Sequence, residues 1–359
     1  MKIQDYTIHH CPLPLAVPFR TALRLVTTVD EVRVALTTDT GAVGIGSAAP
    51  TAAITGETVP SIIGALEQHI LPAIRTVDLE DRHQVFETIR GSIVGNTSAK
   101  AAVDIALHDL FAKIRGESLV TYLGGVSRSL WTDATVSLSD REMMQRQAEA
   151  LVEQGFKHLK IKVGGRDGHD VERVMAIREA IPSHIALWLD PNQSWTVRES
   201  LAACEALADW AVEFVEQPTA ALDLTGLRTI THRSPIPIAA DESVFSLDQL
   251  RRILDLGAAD IINVKLMKSG GLAGASRLAE LVADAGLELM VGSMMEGMVS
   301  VTAAAMFAAT YRAKYVDLDA AYFLRDPKTD GGVSYHGGNM TLPSGSGLGV
   351  QFLSEGASA

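Results

Sequence analysis

The segment His158-Leu-Lys-Ile-Lys-Val163 is a short apolar strand with both lysines on one side, because side chains alternate along a strand. The next apolar segment, Ala186-Leu-Trp-Leu-Asp190, ends in a carboxylate. Short strands of this kind recur at a steady interval through the second half of the chain, with helical patterns between them. This alternation is typical of a parallel sheet covered by helices and decides the fold class.

Eight strands are predicted: Ala134–Leu138, His158–Val163, Ala186–Asp190, Val212–Glu216, Ile236–Asp241, Asp260–Lys265, Leu287–Gly292 and Tyr315–Asp319. Helical segments between them include Asp140–Gln154, Asp170–Ala180, Arg198–Ala208, Ser246–Leu256 and Ala273–Ala285. The eighth strand is followed by no helical pattern, since the chain runs through Ala320–Asp326 to Pro327. We therefore predict an α/β fold, a (β/α)7β modified TIM barrel.

The first part of the chain has a different pattern, with alternation at Val32–Thr37 and a turn at Asp39–Gly41. Helical patterns follow at Ser61–Ile74, Leu79–Ile89 and Ser98–Ile114. Strands followed by helices indicate a small α+β unit, and the glycine-rich C-terminal segment predicts a return to it. The predicted domains are an α+β capping domain (1–125), the barrel (126–320) and a C-terminal return (321–359).

The composition limits the kinds of partner that the protein can bind. A net charge of -12 argues against nucleic acid, whose phosphates select basic surfaces. Cys11 and Cys204 are far apart and form no redox or metal motif, so no disulfide is predicted. The N-terminal sequence has no continuous apolar segment, and Met298–Ala309 predicts a buried helix rather than a membrane span. We expect a cytoplasmic protein with no membrane partner. Whether the chain forms a homo-oligomer is an open question at this point.

Three consecutive strands, the third to the fifth, end in Asp190, Glu216 and Asp241. Barrel enzymes carry their active-site groups at the C-terminal strand ends. Converging carboxylates without His or Cys suit a hard divalent cation, so we predict Mg2+, with Mn2+ as a substitute. Taken singly, each acid could instead cap the following helix. Because Asp241 and Glu242 are adjacent, only one of them is expected to face the metal.

Lys160 and Lys162 end the second strand and Lys265 ends the sixth, and these strands are diametrically opposite in a closed eight-stranded barrel. Two amines on opposite faces of a metal-held carboxylate can remove a proton on one face and return it on the other. Burial, the neighbouring lysine and the cation are expected to lower the lysine pKa. Surface lysines at strand ends are the alternative, and Lys268 is expected in the following loop.

Asp317 and Asp319 are two residues apart at the end of the eighth strand and share a side. A carboxylate pair that the metal does not need suits a cationic group such as an α-ammonium. A helix-capping or surface pair is an equal alternative.

These motifs resemble the enolase superfamily, in its muconate-lactonising-enzyme-like subgroup, over nearly the whole chain. The resemblance implies that Asp190, Glu216 and Asp241 hold Mg2+ and that Lys162 and Lys265 act as acid and base through an enediolate. Within the subgroup, the Asp317-Leu-Asp319 motif is similar to that of the dipeptide epimerases, where it binds the dipeptide ammonium. The expected reaction is then 1,1-proton transfer at the Cα of the C-terminal residue of a dipeptide such as Ala-Glu.

The same resemblance implies a substrate pocket. Phe19–Arg24 and Pro50–Thr58 look like that family's two specificity loops, and Arg24 aligns with the arginine that holds a glutamate side chain. A solvated surface arginine is the alternative. Thr135, Lys160, Ser293, Met294 and Met295 would complete the pocket. Pro191 and Gly297 depart from the usual residues, Ala and Ser or Thr, and leave the pocket shape open.

Other functions stay open at this point. N-acylamino-acid racemase, o-succinylbenzoate synthase and muconate cycloisomerase share the lysines and the metal, but their substrates have no free ammonium for the Asp317–Asp319 pair. A metal-binding barrel without catalysis is a further alternative, although it would not need two opposed amines.

Overall fold

The computed structural model describes residues 1–22 and 24–353. Leu23, in the predicted specificity loop, and residues 354–359 of the predicted C-terminal return lie outside the described residues. An antiparallel sheet opens the chain and consists of β1 (Ile3–Arg20), β2 (Leu25–Thr38) and β3 (Val43–Ala48). The turn between the first two strands, around Thr21 and Arg24, points the sheet's tip towards the barrel, where both residues line a cavity.

Helices cover this sheet: α1 (Val59–Ala65), α2 (Leu71–Ile74), α3 (Arg82–Gly91), α4 (Thr97–Arg115) and α5 (Leu119–Tyr122). A π-helical turn at Leu66–Ile70 joins the first two into one segment. The alanine-rich α4 packs directly on β3, because a Cβ on Gly44 or Gly46 would lie about 2 Å from the helix backbone. This close approach fixes the sheet against the longest helix of the capping region.

After the short β4 (Leu130–Trp131) comes a parallel barrel in strand order along the chain. Its strands are β5 (Ala134–Val136), β6 (His158–Lys162), β7 (Ala186–Asp190), β8 (Val212–Glu216), β9 (Ile238–Ala240), β10 (Ile261–Lys265), β11 (Glu288–Gly292) and β12 (Tyr315–Asp317). Its helices are α6 (Arg141–Glu153), α7 (Asp170–Ala180), α8 (Val197–Ala206), α9 (Leu224–Arg233), α10 (Leu247–Leu256), α11 (Leu266–Ser269), α12 (Leu272–Asp284) and α13 (Met298–Thr310). No helix follows β12 within the described residues, so the predicted (β/α)7β fold is confirmed.

The seam between β5 and β12 closes the barrel with few bonds. The N–H of Asp133 donates to Val316 O at 3.1 Å, and the N–H of Thr135 donates to Asp319 Oδ2 at 2.7 Å. A side-chain carboxylate thus takes the place of a ladder carbonyl. Deeper in the barrel an aromatic cluster, with Trp188 and Phe214 ring centroids 5.0 Å apart, fills the interior beneath the charged strand ends.

The C-terminal segment contacts the capping region. It contains β13 (Thr329–Gly331), β14 (Ser334–His336), β15 (Asn339–Thr341) and β16 (Val350–Phe352), and β15 pairs with β4. Leu348 N–H donates to the buried carboxylate of Asp109 on α4 at 2.8 Å. Among residues 1–22 and 24–353, no helix has the length and apolar character needed to cross a membrane.

Candidate active site

A small cavity of about 60 Å3 lies at the carboxyl ends of the barrel strands, beneath the tip of the N-terminal sheet. All but two of the sequence-predicted site residues line this cavity. Those that line it are Arg24, Thr135, Lys160, Lys162, Asp241, Lys265, Ser293, Met294, Met295, Asp317 and Asp319. The exceptions, Asp190 and Glu216, are 1% and 0% exposed and lie deeper, in contact with Lys160. The structure therefore brings the predicted catalytic, metal and substrate groups together.

Lys160 is the centre of the buried charge cluster. Its Nζ lies 3.1 Å from Asp190 Oδ2, 2.6 Å from Glu216 Oε2 and 2.8 Å from Asp317 Oδ2. Burial alone would lower the pKa of Lys160, but the carboxylates of Asp317, Glu216 and Asp190 outweigh it and raise that pKa well above its ordinary value. This lysine is a fixed cation that links the predicted metal ligands to the Asp317–Asp319 pair.

Lys162 and Lys265 enter the cavity from opposite strands. Lys162 Nζ donates to Asp190 Oδ2 at 2.5 Å, and Lys265 Nζ donates to Asp241 Oδ2 at 2.7 Å. Gly292 leaves room for Lys265, because a Cβ there would lie 2.9 Å from Lys265 Cε. Each amine is thus held beside a different carboxylate of the predicted metal set, which is the placement that a two-base reaction needs.

The lowering of the lysine pKa was expected with a cation bound beside the lysines and stays a prediction, because the protein's own groups act on Lys265 in the opposite direction. Burial does lower it, but Asp241 and Glu216 outweigh burial and raise the pKa of Lys265. The carboxylates that a divalent cation would neutralise interact with the lysines instead. A neutral Lys265 base therefore requires those carboxylates to be engaged by another cation.

The expectation for Lys268 is incomplete. It follows β10, on the short helix α11, but it is 1% exposed rather than a loop side chain. Its Nζ donates to Asp241 Oδ1 at 2.5 Å and to Asn263 O at 2.9 Å. Lys265, at the end of β10, and Lys268, on α11, therefore contact the two oxygens of the same carboxylate.

Protonation differs among the predicted metal ligands. Burial acts to raise the pKa of Asp190, but Lys162 and Lys160 outweigh it and lower that pKa to about 2. Burial raises the pKa of Glu216 to about 7, and Asp190 and Asp241 add to this. Glu216 also accepts from Asn263 Nδ2 at 2.7 Å. The three predicted ligands offer carboxylate oxygens only, and such donors fit a hard divalent cation.

Glu242 lines the cavity together with Asp241, although adjacent residues on a strand would point to opposite sides. Strand β9 ends at Ala240, so both acids lie on the loop beyond it and the alternation no longer holds. Burial and Asp241 raise the pKa of Glu242 to about 8.

The Asp317–Asp319 pair lies at the seam between the last and first strands. Asp317 Oδ2 is held by Lys160, and Asp319 Oδ2 by the Thr135 N–H. Burial, followed by Asp317, raises the pKa of Asp319 to about 6. The pair is buried and lies beside the cavity, so it is neither a helix cap nor an exposed surface pair.

The wall opposite the barrel comes from the capping region. Phe19, Thr21 and Arg24 lie on the tip between β1 and β2, and Ala53 and Ile54 come from the second predicted specificity loop. The Phe19 ring centroid is 5.8 Å from Lys162 Nζ. Burial lowers the pKa of Arg24, and no ion pair within the described part of the chain engages its guanidinium.

The loop after β11 carries Ser293, Met294 and Met295 into the cavity. Glu296 Oε1 accepts from Met294 N–H at 2.7 Å, and burial raises the pKa of Glu296 to about 7. At Gly297 a Cβ would lie 2.1 Å from Oε1 of Glu31 on β2. The departure from Ser or Thr at this position therefore accommodates a buried carboxylate from the capping region.

Asp133 and Asn192 were not among the predicted site residues, and Lys268 was predicted only as a residue of the loop after β10. Asp133 is fully buried beside the Asp317–Asp319 pair. The sequence feature that could have indicated it is its position two residues before Thr135, a predicted site residue. Asn192 lines the cavity and its N–H donates to Asp190 Oδ1 at 2.8 Å, a local bond that the Asp-Pro-Asn sequence could have suggested.

A barrel with opposed lysines above buried carboxylates, closed by a separate capping region, defines an enzyme of the enolase class. Residues 3–124 match the mandelate racemase / muconate lactonizing enzyme N-terminal domain, and residues 143–356 match the enolase C-terminal domain-like family. The chain belongs to the mandelate racemase / muconate lactonizing enzyme family, so the predicted superfamily is confirmed.

Individual relatives are similar over their full lengths. The L-Ala-D/L-Glu epimerase of Clostridium acetobutylicum is 42% identical over 98% of this chain and 99% of the relative. A substrate-liganded L-Ala-D/L-Glu epimerase from Bacillus subtilis has a TM-score of 0.96 and 40% identity, covering 99% of this chain and 100% of that one. The Enterococcus faecalis dipeptide epimerase with Mg and L-Leu-L-Tyr has a TM-score of 0.94 and 35% identity, covering 98% and 100%. The prediction of an isomerase of the epimerase class is thereby confirmed.

Proposed function

We propose that this chain is a Mg2+-dependent dipeptide epimerase that interconverts L-Ala-L-Glu and L-Ala-D-Glu. The observation that carries the proposal is one cavity lined by two opposed lysines and a separate Asp317–Asp319 pair, with buried carboxylates beneath them. The similarity to two L-Ala-D/L-Glu epimerases supports it. The proposed setting is the cytoplasmic turnover of murein peptides.

Asp190, Glu216 and Asp241 are the residues that would hold Mg2+, with Mn2+ as a workable substitute. Bound there, the cation would stabilise negative charge as it develops on the substrate carboxylate. Asn192 and Asn263 orient two of these carboxylates through hydrogen bonds of 2.8 and 2.7 Å. A donor set made only of oxygens, with two of the three acids anchored in this way, suits a hard divalent ion.

Proton transfer is assigned to Lys162 and Lys265. Lys162 takes the Cα proton of one epimer and Lys265 returns a proton on the opposite face of the enediolate, with the roles reversed for the other epimer. Lys160, fixed by three carboxylates, supplies a permanent positive charge beside the substrate carboxylate. Phe19 and the two methionines exclude water from the reacting carbon.

Substrate recognition is divided between the two ends of the dipeptide. Asp317 and Asp319 accept hydrogen bonds from the α-ammonium, which N-acylated amino acids and muconates lack. Among the described residues, Arg24 supplies the one cation on the capping wall of the cavity, and its guanidinium would pair with the glutamate side chain. Thr135 and Ser293 line the space between these ends.

Cα proton–deuterium exchange tests the proposal, followed by NMR in D2O with Mg2+ across a dipeptide panel and N-succinyl amino acids. We expect exchange with epimerisation of Ala-Glu and little with hydrophobic or cationic dipeptides. Turnover of an N-succinyl amino acid without any dipeptide exchange would overturn the proposal and reassign Asp317 and Asp319.

A further inference from the structure

Asp133 is a buried carboxyl that the reaction above does not use. It lies just before β5, and its backbone crosses the barrel seam to Val316. Its Oδ1 accepts a long hydrogen bond from Thr132 Oγ1 at 3.4 Å, and its Oδ2 accepts none from residues 1–22 and 24–353. A fully buried carboxyl oxygen without a donor is costly, and so it points to a ligand that donates to it.

The spacing of the neighbouring carboxyls limits what that ligand can be. One oxygen from each of Asp133, Asp317 and Asp319 lies within 4.8 Å of the other two. Three oxygens at the corners of an equilateral triangle with sides of at most that length lie at most about 2.8 Å from its centre, within reach of charge-assisted N–H···O bonds. The spacing therefore fits an ammonium, which has three N–H donors.

We propose that Asp133 is a third acceptor of the ammonium site, so that Asp133, Asp317 and Asp319 each receive one N–H from a primary ammonium of the substrate. The inference rests on the proposed dipeptide substrate and extends its binding site by one residue, below the cavity floor.

The protein fixes the carboxyls of Asp317 and Asp319, and the backbone of Asp133, through bonds that need no ligand. Lys160 holds Asp317 Oδ2 at 2.8 Å, Thr135 N–H holds Asp319 Oδ2 at 2.7 Å, and the Asp133 backbone is bonded across the seam. Such a site is preorganised, so little ordering is needed when the ammonium binds.

The charge of the cluster also favours a cation. Burial, followed by Asp317 and Asp319, raises the pKa of Asp133 well above its ordinary value. Lys160 is the lysine that contacts this cluster, and it also interacts with Asp190 and Glu216. A primary ammonium at the centre would relieve the repulsion among the three acids. An N-acylated amine offers a single N–H and no charge, so three acceptors discriminate against it.

The test compares Asp133→Ala and Asp133→Asn in the Mg2+-loaded enzyme. Calorimetric titration measures the Kd of L-Ala-L-Glu and of its N-acetyl derivative. For Asp133→Ala we expect the Kd of the free dipeptide to rise by about tenfold to a hundredfold, as for losing a hydrogen bond to a charged group. The Kd of the N-acetyl compound is expected to stay within about twofold of the wild-type value.

Asp109→Asn is the matched control, since Asp109 is also fully buried but lies in the capping region beside Lys113. It should lower stability without changing the preference for the free amine. If Asp133→Ala unfolds, Asp133→Asn keeps the size and one acceptor and should give a smaller loss in the same direction.

Three outcomes would overturn the inference: an unchanged preference for the free dipeptide, an equal loss for both ligands, or a second Mg2+ per chain that disappears in Asp133→Ala. Turnover is followed separately. A wild type that binds Ala-Glu but exchanges no Cα proton would refute the proposed function while leaving the ammonium site intact.

Discussion

The floor of the cavity and its wall differ in burial and in charge. On the barrel side Lys160, Asp190 and Glu216 are at most 2% exposed, and each is tied to at least one other charged group. On the capping side Phe19, Thr21 and Arg24 are partly exposed, and Ala53 is exposed. The floor is thus a rigid, charge-dense network, whereas the wall offers one cation and a few apolar contacts.

This difference separates chemistry from selectivity. A buried network allows few substitutions, because removing one charge leaves another unpaired. A half-exposed wall tolerates change at little cost in stability, which suits residues that select the substrate. Floor variants should therefore lower kcat or metal binding, and wall variants should change KM.

The largest expected effect is at the two lysines. Lys162→Ala or Lys265→Ala should lower epimerisation by about 10^2- to 10^4-fold, because each removes a general acid–base group. Each single variant should retain Cα exchange for only one epimer, and the double variant for neither, as read by NMR in D2O. Exchange that survives in the double variant would contradict the two-base assignment.

The next largest effect is expected on Mg2+ binding at the floor of the cavity. Glu216→Gln keeps the shape of the side chain and the oxygen that accepts from Asn263, but it removes the negative charge. Mg2+ affinity should therefore fall by about a hundredfold or more, because the change removes a metal ligand rather than an outer-shell contact. Calorimetric titration of Mg2+ measures this directly. Glu296→Gln, which also replaces a buried carboxyl but lies outside the predicted ligand set, is the control and should bind Mg2+ normally.

A smaller effect is expected at the wall. Arg24→Met should raise KM for L-Ala-L-Glu by about tenfold to a hundredfold, the range for one hydrogen-bonded charge pair. The kcat should hold, and dipeptides with an apolar C-terminal residue should gain in relative rate. Arg24→Lys should recover part of the loss. A fall in kcat with unchanged KM would show that Arg24 acts on the chemistry instead.

The smallest effect concerns the joint between the two regions. Gly297→Ala should cost about 1–3 kcal/mol of unfolding free energy, because the new methyl group meets the Glu31 carboxylate. Urea denaturation measures it. In a Glu31→Ala background the same change should cost under about 0.5 kcal/mol, since the contact is gone. Equal costs in both backgrounds would remove Glu31 as the reason for this glycine.

The barrel could be predicted from the sequence because its strands and helices have distinct periods, but the edge strand β1 could not. Its 18 residues include Pro12 and Pro14, which argue against a central strand. The sheet order places β1 at an edge, where a missing N–H is tolerated. Sequence pattern cannot distinguish an edge strand of this kind from a loop.

The residues that meet in the buried charge cluster were predictable where each lies at a strand end, as for Lys162 and Asp190. They were not predictable where closure of the barrel creates the contact. Asp133 lies beside Asp317 and Asp319 only because the first and last barrel strands come together. The bonded residues Thr135 and Asp319, for example, are 184 residues apart in the sequence. The contact of Lys268 with Asp241 was not predicted, because a helical turn after the strand, and not the strand itself, brings Lys268 to that carboxylate.

The bond from Thr135 N–H to Asp319 Oδ2 has an evolutionary consequence. The Asp319 carboxylate both lines the cavity and joins the first barrel strand to the last. A descendant that abandoned free amines for acylated ones by replacing Asp319 would also lose a closing bond of its barrel. Such a lineage has to acquire a new acceptor for Thr135 in the same step, so this seam restrains how readily the family can exchange one substrate for another.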